Sequence, residues 1–212
     1  MFSKLQYISK GINAAEHIKN IEEALHGGCR WIQLRMKNIE RSELLAIAPI
    51  IKERCKEYKA ILIINDYPDI AAKVKADGVH LGLLDMPVKE ARGILGDKII
   101  GGTANTLEDV LTRVQEGCDY IGLGPYRFTP TKEKLSPVLG VEGYNNIITE
   151  LQKRNINPKL YAIGGVTLSD VEQIMRAGVY GIAVSDLISA APDKPNLIEQ
   201  LNLILYEPHH CS

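Results

Sequence analysis

The chain has 212 residues, a length that suits one globular domain. Hydrophobic residues make up 45% of it, charged residues 24%, and the formal net charge is −1, so a broad basic surface for nucleic acid or for an anionic membrane is excluded. No apolar run approaches the ~20 residues that a membrane span needs.

Eight short apolar segments alternate with longer amphipathic segments along the chain. Most are dense in Ile, Val, Leu and Tyr, which is typical of parallel strands covered on both sides. The predicted strands are Leu5–Ser9, Trp31–Met36, Ile61–Asp66, Gly78–Gly82, Lys98–Ala104, Tyr120–Pro125, Lys159–Gly165 and Gly181–Asp186. Eight βα units favour an α/β fold with a single (βα)8 TIM barrel over 1–206. The alternative is a doubly wound sheet in which two strands are overpredicted.

The segments between the strands carry helix signals. Apolar residues of Ser42–Tyr58 fall on one face. Thr106 with Asp109, and Thr167 with Asp170, have the spacing of a capping box at a helix start. Glycines in HGGC, QEGC and RAGV are placed to end helices in a left-handed conformation, and KADG predicts a similar turn.

The two ends of the chain and its cysteines bear on the cellular location of the protein. The N-terminal segment lacks the apolar stretch of a signal peptide. The four cysteines form no CxxC pair, so we expect neither a zinc site nor a disulfide framework, and we predict a cytoplasmic protein. The tail 207–212 contains His209, His210 and Cys211, and we expect it to be a solvated terminus rather than a metal site.

The second strand ends in alternating polar residues, Gln33, Arg35 and Lys37. Side chains repeat every second residue on a strand, so all three are predicted to face the barrel interior and its upper mouth. Two cations converging there favour a site for a polyanion, because unneutralised burial would be costly. In the alternative, Lys37 reaches solvent and Arg35 pairs with a carboxylate.

Two acidic residues follow the next two strands. The third strand ends in Asn65 and Asp66, and Asp85 follows the fourth. Neighbouring loops of a barrel lie side by side, so the two carboxylates can share a Mg²⁺ ion, which is usually held by one or two carboxylates and substrate phosphates. The alternative is that Asp85 caps the helix after Pro87 and Asp66 caps a turn.

Further polar groups follow strands five to eight. Thr103 offers a hydroxyl to the same mouth, although a threonine there could bond its own backbone. The long connection Tyr126–Leu139, a predicted lid or binding loop, offers Thr129, Thr131 and Lys132. Gly164 and Gly165 end strand seven, and Val184 and Ser185 end strand eight, where barrels commonly bind phosphate through backbone N–H groups. His80, inside strand four, is predicted to be a core histidine.

Six stretches in order resemble thiamine phosphate synthase, also called thiamine-phosphate pyrophosphorylase. They are WIQLRMK, IINDYPDIA, GVHLGLLDMP, GLGPYRFTPTK, AIGGV and GIAVSDLI, and they span about residues 31 to 188. The resemblance implies a barrel transferase with two phosphorylated small-molecule substrates. It would couple hydroxymethylpyrimidine diphosphate to a thiazole phosphate, or to its carboxylated tautomer, and release diphosphate.

The resemblance also implies roles for individual residues. Gln33, Arg35, Lys37, Asn65, Thr103 and Lys132 would hold the pyrimidine diphosphate, with Arg35, Lys37 and Lys132 as the catalytic cations. Asp66 and Asp85 would hold Mg²⁺, and the thiazole phosphate would lie against Thr129, Thr131, Gly165, Val184 and Ser185. Arg127 has no role in this scheme. The remaining alternatives are a thiazole tautomerase on the same barrel and a non-catalytic barrel that binds phosphorylated ligands.

Overall fold

The computed structural model describes residues 2–37, 39–128 and 137–207, and in these the eight predicted strands form a closed, all-parallel barrel. Each strand pairs with its neighbours in chain order, and β8 returns to pair with β1. The strands are β1 Leu5–Ile8, β2 Trp31–Leu34, β3 Ile61–Asn65, β4 Gly78–Leu81, β5 Ile99–Ala104, β6 Tyr120–Leu123, β7 Leu160–Ile163 and β8 Gly181–Val184. The prediction of a (βα)8 barrel is therefore confirmed, and the open-sheet alternative is wrong.

Helices follow the strands and cover the outside of the barrel. They are α1 Ala14–His26, α2 Arg41–Glu57, α3 Pro68–Lys73, α4 Val88–Leu95, α5 Leu107–Gln115, α6 Gly140–Lys153, α7 Val171–Arg176, α8 Asp186–Ser189 and α9 Lys194–Tyr206, with a 3-10 turn at Leu168–Asp170 before α7. None of the helices in the described ranges is long and apolar enough to cross a membrane. The tail residues His209, His210 and Cys211 lie outside the described residues.

Two hydrophobic clusters hold the barrel together. The larger one packs the outward-facing strand residues against the helices, as with Leu62 and Ile64 of β3 and Leu44 and Ile51 of α2. The smaller one fills the barrel interior. It contains Ile8, Trp31, Ile63, Tyr120, Tyr161 and Ala183, and partly buried residues such as Phe2 pack against it. Both faces of the sheet are thus buried, which explains why the strands are nearly continuous apolar runs.

Local signals in the sequence correspond closely to the observed helix ends. Both predicted capping boxes are present, Thr106 with Asp109 and Thr167 with Asp170, the second of them on the 3-10 turn. The helix-ending glycines have positive φ, for example 95° at Gly178. The KADG expectation is wrong in detail, because Lys75 is the left-handed residue, at φ 54°. Gly78 is instead the first residue of β4, where a Cβ would overlap the Ile99 backbone.

Candidate active site

The carboxyl ends of β2 and β3 bring Gln33 and Asn65 together inside the mouth of the barrel. Gln33 is 2% exposed, and its Nε2 donates to Oδ1 of Asn65 at 2.7 Å. The side chain of Asn65 in turn acts to lower the pKa of the neighbouring Asp66 carboxyl group. The other amide atom of Gln33, Oε1, is buried and has no hydrogen-bond partner within the described ranges. A buried acceptor of this kind is suited to a donor on a bound ligand, since an unsatisfied polar group is otherwise costly.

Asp66 and Asp85 meet at the rim although they follow different strands. The two carboxyl groups are close enough for Asp85 to act on the pKa of Asp66, and Oδ2 of Asp85 accepts from the Gly82 N–H at 2.5 Å. Asp66 has φ 67°, a left-handed conformation that aspartate tolerates better than most residues. Burial of the carboxyl group, followed by the hydrogen bond and the charge of Asp85, raises the pKa of Asp66 to about 7, although Arg35 and Asn65 act to lower it.

This carboxyl pair fits a divalent cation. Two carboxylates in contact repel each other when both are ionised, and a hard cation between them would remove that repulsion. In the described part of the chain, no group of three or more His, Cys, Asp or Glu side chains could hold a metal ion. A Mg²⁺ ion held by this pair would take one or two carboxylate ligands from it and others from water and substrate phosphates, as is usual for that ion. Asp85 does not cap α4, whose N-cap residue is Pro87.

Arg35 lies just beyond the end of β2, beside the carboxyl pair. Burial lowers the pKa of its guanidinium, while the negative charges of Asp66 and Asp85 raise it. Its backbone N–H donates to Oγ of Ser9 at 3.0 Å, and that hydroxyl also contacts Nδ1 of His17 at 3.0 Å. Arg35 is thus a half-buried cation whose backbone is held at the mouth. Lys37, two residues further on, is exposed.

Thr103 completes this side of the mouth near the end of β5. Its Oγ1 lies 3.0 Å from Nε2 of His80, and Nδ1 of His80 lies 3.1 Å from the Tyr120 hydroxyl. The Thr103 hydroxyl therefore bonds a neighbouring side chain, unlike the alternative in which it bonds its own backbone. His80 is buried with a partner on each ring nitrogen, as predicted for a core histidine.

The opposite side of the mouth is built mainly from backbone. Gly164 and Gly165 follow β7 with φ 89° and 71°, values that side chains rarely adopt. Val184 is the last residue of β8, and the half-buried Ser185 directly precedes the short helix α8. The structure thus places Gly165, Val184 and Ser185 at the ends of the adjacent strands β7 and β8.

The sixth loop is described only at its two ends. Thr129, Thr131 and Lys132 lie outside the described residues. The loop's ends are joined, because the N–H of Leu139 donates to the Pro125 carbonyl at 3.0 Å and the N–H of Gly140 donates to the Tyr126 carbonyl at 3.1 Å. Both ends of the loop are therefore attached beside the mouth.

Sequence reasoning missed the contacts that anchor the loops. Arg127 forms a two-pronged ion pair with Asp170, with Nη2 to Oδ1 at 2.6 Å, and its backbone N–H donates to the Gly164 carbonyl at 2.9 Å. This joins the sixth loop to the segment after β7. On the first loop, Nζ of Lys10 pairs with Asp186 at 2.5 Å. The sequence showed an extra cation at Arg127, but nothing local indicated its partner 43 residues away.

Comparisons with known proteins identify the family of this chain. The sequence pattern of the thiamine monophosphate synthase family matches residues 5–188. Thiamine-phosphate synthase of Flavobacterium johnsoniae is 52% identical over 97% of this chain and 98% of its own length. The enzyme of that name from Flavobacterium psychrophilum is 54% identical over 95% of this chain and 98% of its own. Among solved structures, thiamine phosphate pyrophosphorylase from Pyrococcus furiosus superposes with a TM-score of 0.83, at 32% identity and 96% coverage of both chains.

Proposed function

We propose which substrates this chain joins and which residues hold them. The chain belongs to the thiamine monophosphate synthase family and is a transferase that makes thiamine phosphate. The substrates are hydroxymethylpyrimidine diphosphate and a thiazole phosphate, or the carboxylated tautomer of the latter. The observation that carries the assignment is the contact of Asp66 with Asp85 beside Arg35. We further propose a cytoplasmic location, which rests on the scattered cysteines.

The pyrimidine diphosphate occupies the side of the mouth formed by β2 to β5. The buried Oε1 of Gln33, which has no hydrogen-bond partner among the described residues, accepts a hydrogen bond from the amino group of the pyrimidine. Asn65 and Thr103 provide further polar contacts. Arg35, Lys37 and, by its position in the sequence, Lys132 bind the diphosphate oxygens.

The thiazole phosphate occupies the side formed by β6 to β8. The positive φ of Gly165 lets the backbone approach an anion closely, and Val184 and Ser185 lie at the end of the adjacent strand. Thr129 and Thr131 belong to this site by their sequence positions. Two anion sites on one rim are the arrangement that two phosphorylated substrates require.

The reaction forms a bond between the thiazole nitrogen and the pyrimidine methylene carbon, and breaks the bond from that carbon to the diphosphate oxygen. With the carboxylated tautomer, the bond from the thiazole to its carboxylate also breaks, and that group leaves as CO2. The aminopyrimidine ring delocalises the positive charge left on the methylene, so the protein has to stabilise the leaving diphosphate and align the nucleophile. Arg35, Lys37 and Lys132 stabilise the leaving diphosphate. The site that binds the thiazole phosphate aligns the nucleophile. When bound to Asp66 and Asp85, Mg²⁺ supplies further positive charge to the diphosphate.

The experiment that tests this proposal mixes the purified protein with both substrates, with and without Mg²⁺, and measures thiamine phosphate and diphosphate. We expect equal amounts of the two products, formed only with Mg²⁺. Asp66→Asn should lose about 10²–10³-fold in turnover, in the range for removal of a preorganised charge interaction. Its melting temperature should stay close to that of the wild type.

Asp97→Asn is the matched control. Asp97 is exposed and precedes β5, so it lies at the opposite end of the barrel, and its replacement should leave turnover unchanged. Full activity of Asp66→Asn would reject Asp66 as a metal ligand. Interconversion of thiazole forms without release of diphosphate would instead favour the tautomerase.

A further inference from the structure

Four polar side chains form a continuous hydrogen-bonded chain through the barrel interior. Nε2 of Gln6 lies 3.1 Å from the Tyr120 hydroxyl, and that hydroxyl lies 3.1 Å from Nδ1 of His80. Nε2 of His80 lies 3.0 Å from Oγ1 of Thr103. The first three side chains are buried, whereas Thr103 is half-buried. The chain thus runs from the closed interior up to the mouth.

The direction of these hydrogen bonds is set at the Gln6 end. An amide nitrogen can only donate, so the Tyr120 oxygen accepts from Gln6. Of the two groups that the Tyr120 hydroxyl contacts in the described residues, Nδ1 of His80 is the one that can accept its proton. A neutral imidazole that accepts at Nδ1 carries its proton on Nε2, which then donates to Thr103. Burial, followed by the charges of Arg113 and Arg35, lowers the pKa of His80 to about 4, so the ring is neutral at physiological pH.

We propose that Gln6, Tyr120 and His80 are positioning residues that make the Thr103 hydroxyl a hydrogen-bond donor toward the pyrimidine diphosphate. Since Oγ1 of Thr103 already accepts from His80, its own proton is directed to another acceptor. A diphosphate oxygen can only accept, and it is the group that gains charge in the reaction. This inference rests on the proposed function of the β2–β5 side of the mouth.

The surroundings hold the chain in place. The Tyr120 ring packs between Trp31 and Tyr161, with ring centroids 5.0 and 5.6 Å away. A Cβ at Gly101, on the adjacent strand, would overlap the Tyr120 ring, so glycine leaves room for it. Packing alone would be served equally well by phenylalanine, which has no hydroxyl to desolvate. The hydroxyl of Tyr120 is therefore the atom to test.

A double-mutant cycle with Tyr120→Phe and Thr103→Val tests the positioning role. Each single variant should lower kcat with the pyrimidine diphosphate about 10- to 100-fold, the loss of one hydrogen bond to a charged group. In the Thr103→Val background, adding Tyr120→Phe should not lower kcat further, because residue 103 then has no hydroxyl for the hydrogen-bonded chain to direct. In Thr103→Ser, which keeps a hydroxyl, Tyr120→Phe should again lower kcat.

The result that would overturn the proposal is additivity. A purely structural role for Tyr120 would lower kcat by the same factor in the wild type and in Thr103→Val, with a parallel fall in melting temperature. If the wild type formed no thiamine phosphate, the proposed function would fail and this role with it. If the wild type forms thiamine phosphate but the two substitutions lower kcat additively, only the positioning role is overturned.

Nitrogen-15 NMR of the labelled protein gives a second readout that needs no substrate. His80 should show the tautomer protonated at Nε2, with the signal assigned by its loss in His80→Gln. Tyr120→Phe should shift the ring toward the tautomer protonated at Nδ1, because Nδ1 no longer has a donor. A wild-type ring protonated at Nδ1 would reverse the bonds from His80 to Tyr120 and to Thr103 and overturn the proposal.

Discussion

The two sides of the barrel mouth are built by different means. On the β2–β5 side, side chains contact one another directly, as Asp66 does with Asp85 and Thr103 with His80. On the β6–β8 side, the conformation of the backbone dominates, with two consecutive glycines at positive φ. Charged side chains can stabilise charge that develops during a reaction, whereas a backbone site holds a phosphate whose charge does not change. We therefore expect substitutions on the β2–β5 side to lower kcat. Substitutions on the β6–β8 side should raise the KM for thiazole phosphate.

Arg35→Met should have the largest effect. It removes the half-buried cation beside the carboxyl pair and should lower kcat about 10²–10³-fold, equivalent to ~2.7–4 kcal/mol of barrier. Steady-state kinetics with each substrate varied in turn would measure it. Arg176→Met, an equal change on the exposed face of α7, is the control. A rise in the KM for thiazole phosphate with unchanged kcat would contradict the division of the mouth.

Gly165→Ala should act mainly on the second substrate. At φ 71° an alanine is strained, and its Cβ would lie 2.7 Å from Cβ of Arg127, so the local backbone must shift. We expect the KM for thiazole phosphate to rise more than the KM for the pyrimidine diphosphate, with a loss of about 1–3 kcal/mol in the free energy of unfolding.

Gly28→Ala is the matched control for this change. Gly28 also has a positive φ, 98°, but lies before β2 at the other end of the barrel, with open space around its Cβ position. It should lose stability without a change in either KM. Equal kinetic effects of the two variants would mean that backbone strain, rather than the site, is responsible.

Asp170→Asn should have the smallest effect, and a pH-dependent one. Burial acts to raise the pKa of Asp170, but hydrogen bonds from Arg127 and Thr167 outweigh it and hold the pKa below its ordinary value of 3.8. A lowered folded-state pKa stabilises the protein above the unfolded-state pKa, and this stabilisation is lost as the pH falls through the folded-state value. Urea unfolding should therefore give the variant a lower free energy of unfolding than the wild type at pH 7. This difference should become smaller below pH 4.

The companion measurement separates the ion pair from the helix cap. Asp109 forms the same capping box on α5, so Asp109→Asn loses an equivalent cap without touching Arg127. Only Asp170→Asn should raise the KM for thiazole phosphate, because it alone releases the sixth loop from the segment after β7. An equal rise in both variants would assign the effect to loss of the cap.

Much of the fold could be predicted from neighbouring residues, but the ends of the strands could not. All eight strands start within one residue of their predicted positions, whereas most end one or two residues earlier than predicted. The β3 segment shows the reason. Its apolar run leads into Asp66, whose left-handed backbone ends the strand there. A sequence pattern records which residues are apolar, but it does not record where the last pair of a β ladder forms.

The sequence by itself determined the number of βα units, the two capping boxes and the family, since each of these depends on short stretches of neighbouring residues. Only the tertiary structure decided which polar groups meet. Tyr120 lies 40 residues from His80 and 114 from Gln6 in the sequence. Closure of the barrel brings all three into one hydrogen-bonded chain. Contacts of this kind depend on strand register and on loop conformation, which arise from the packing of the whole barrel and leave no periodic signal along the chain.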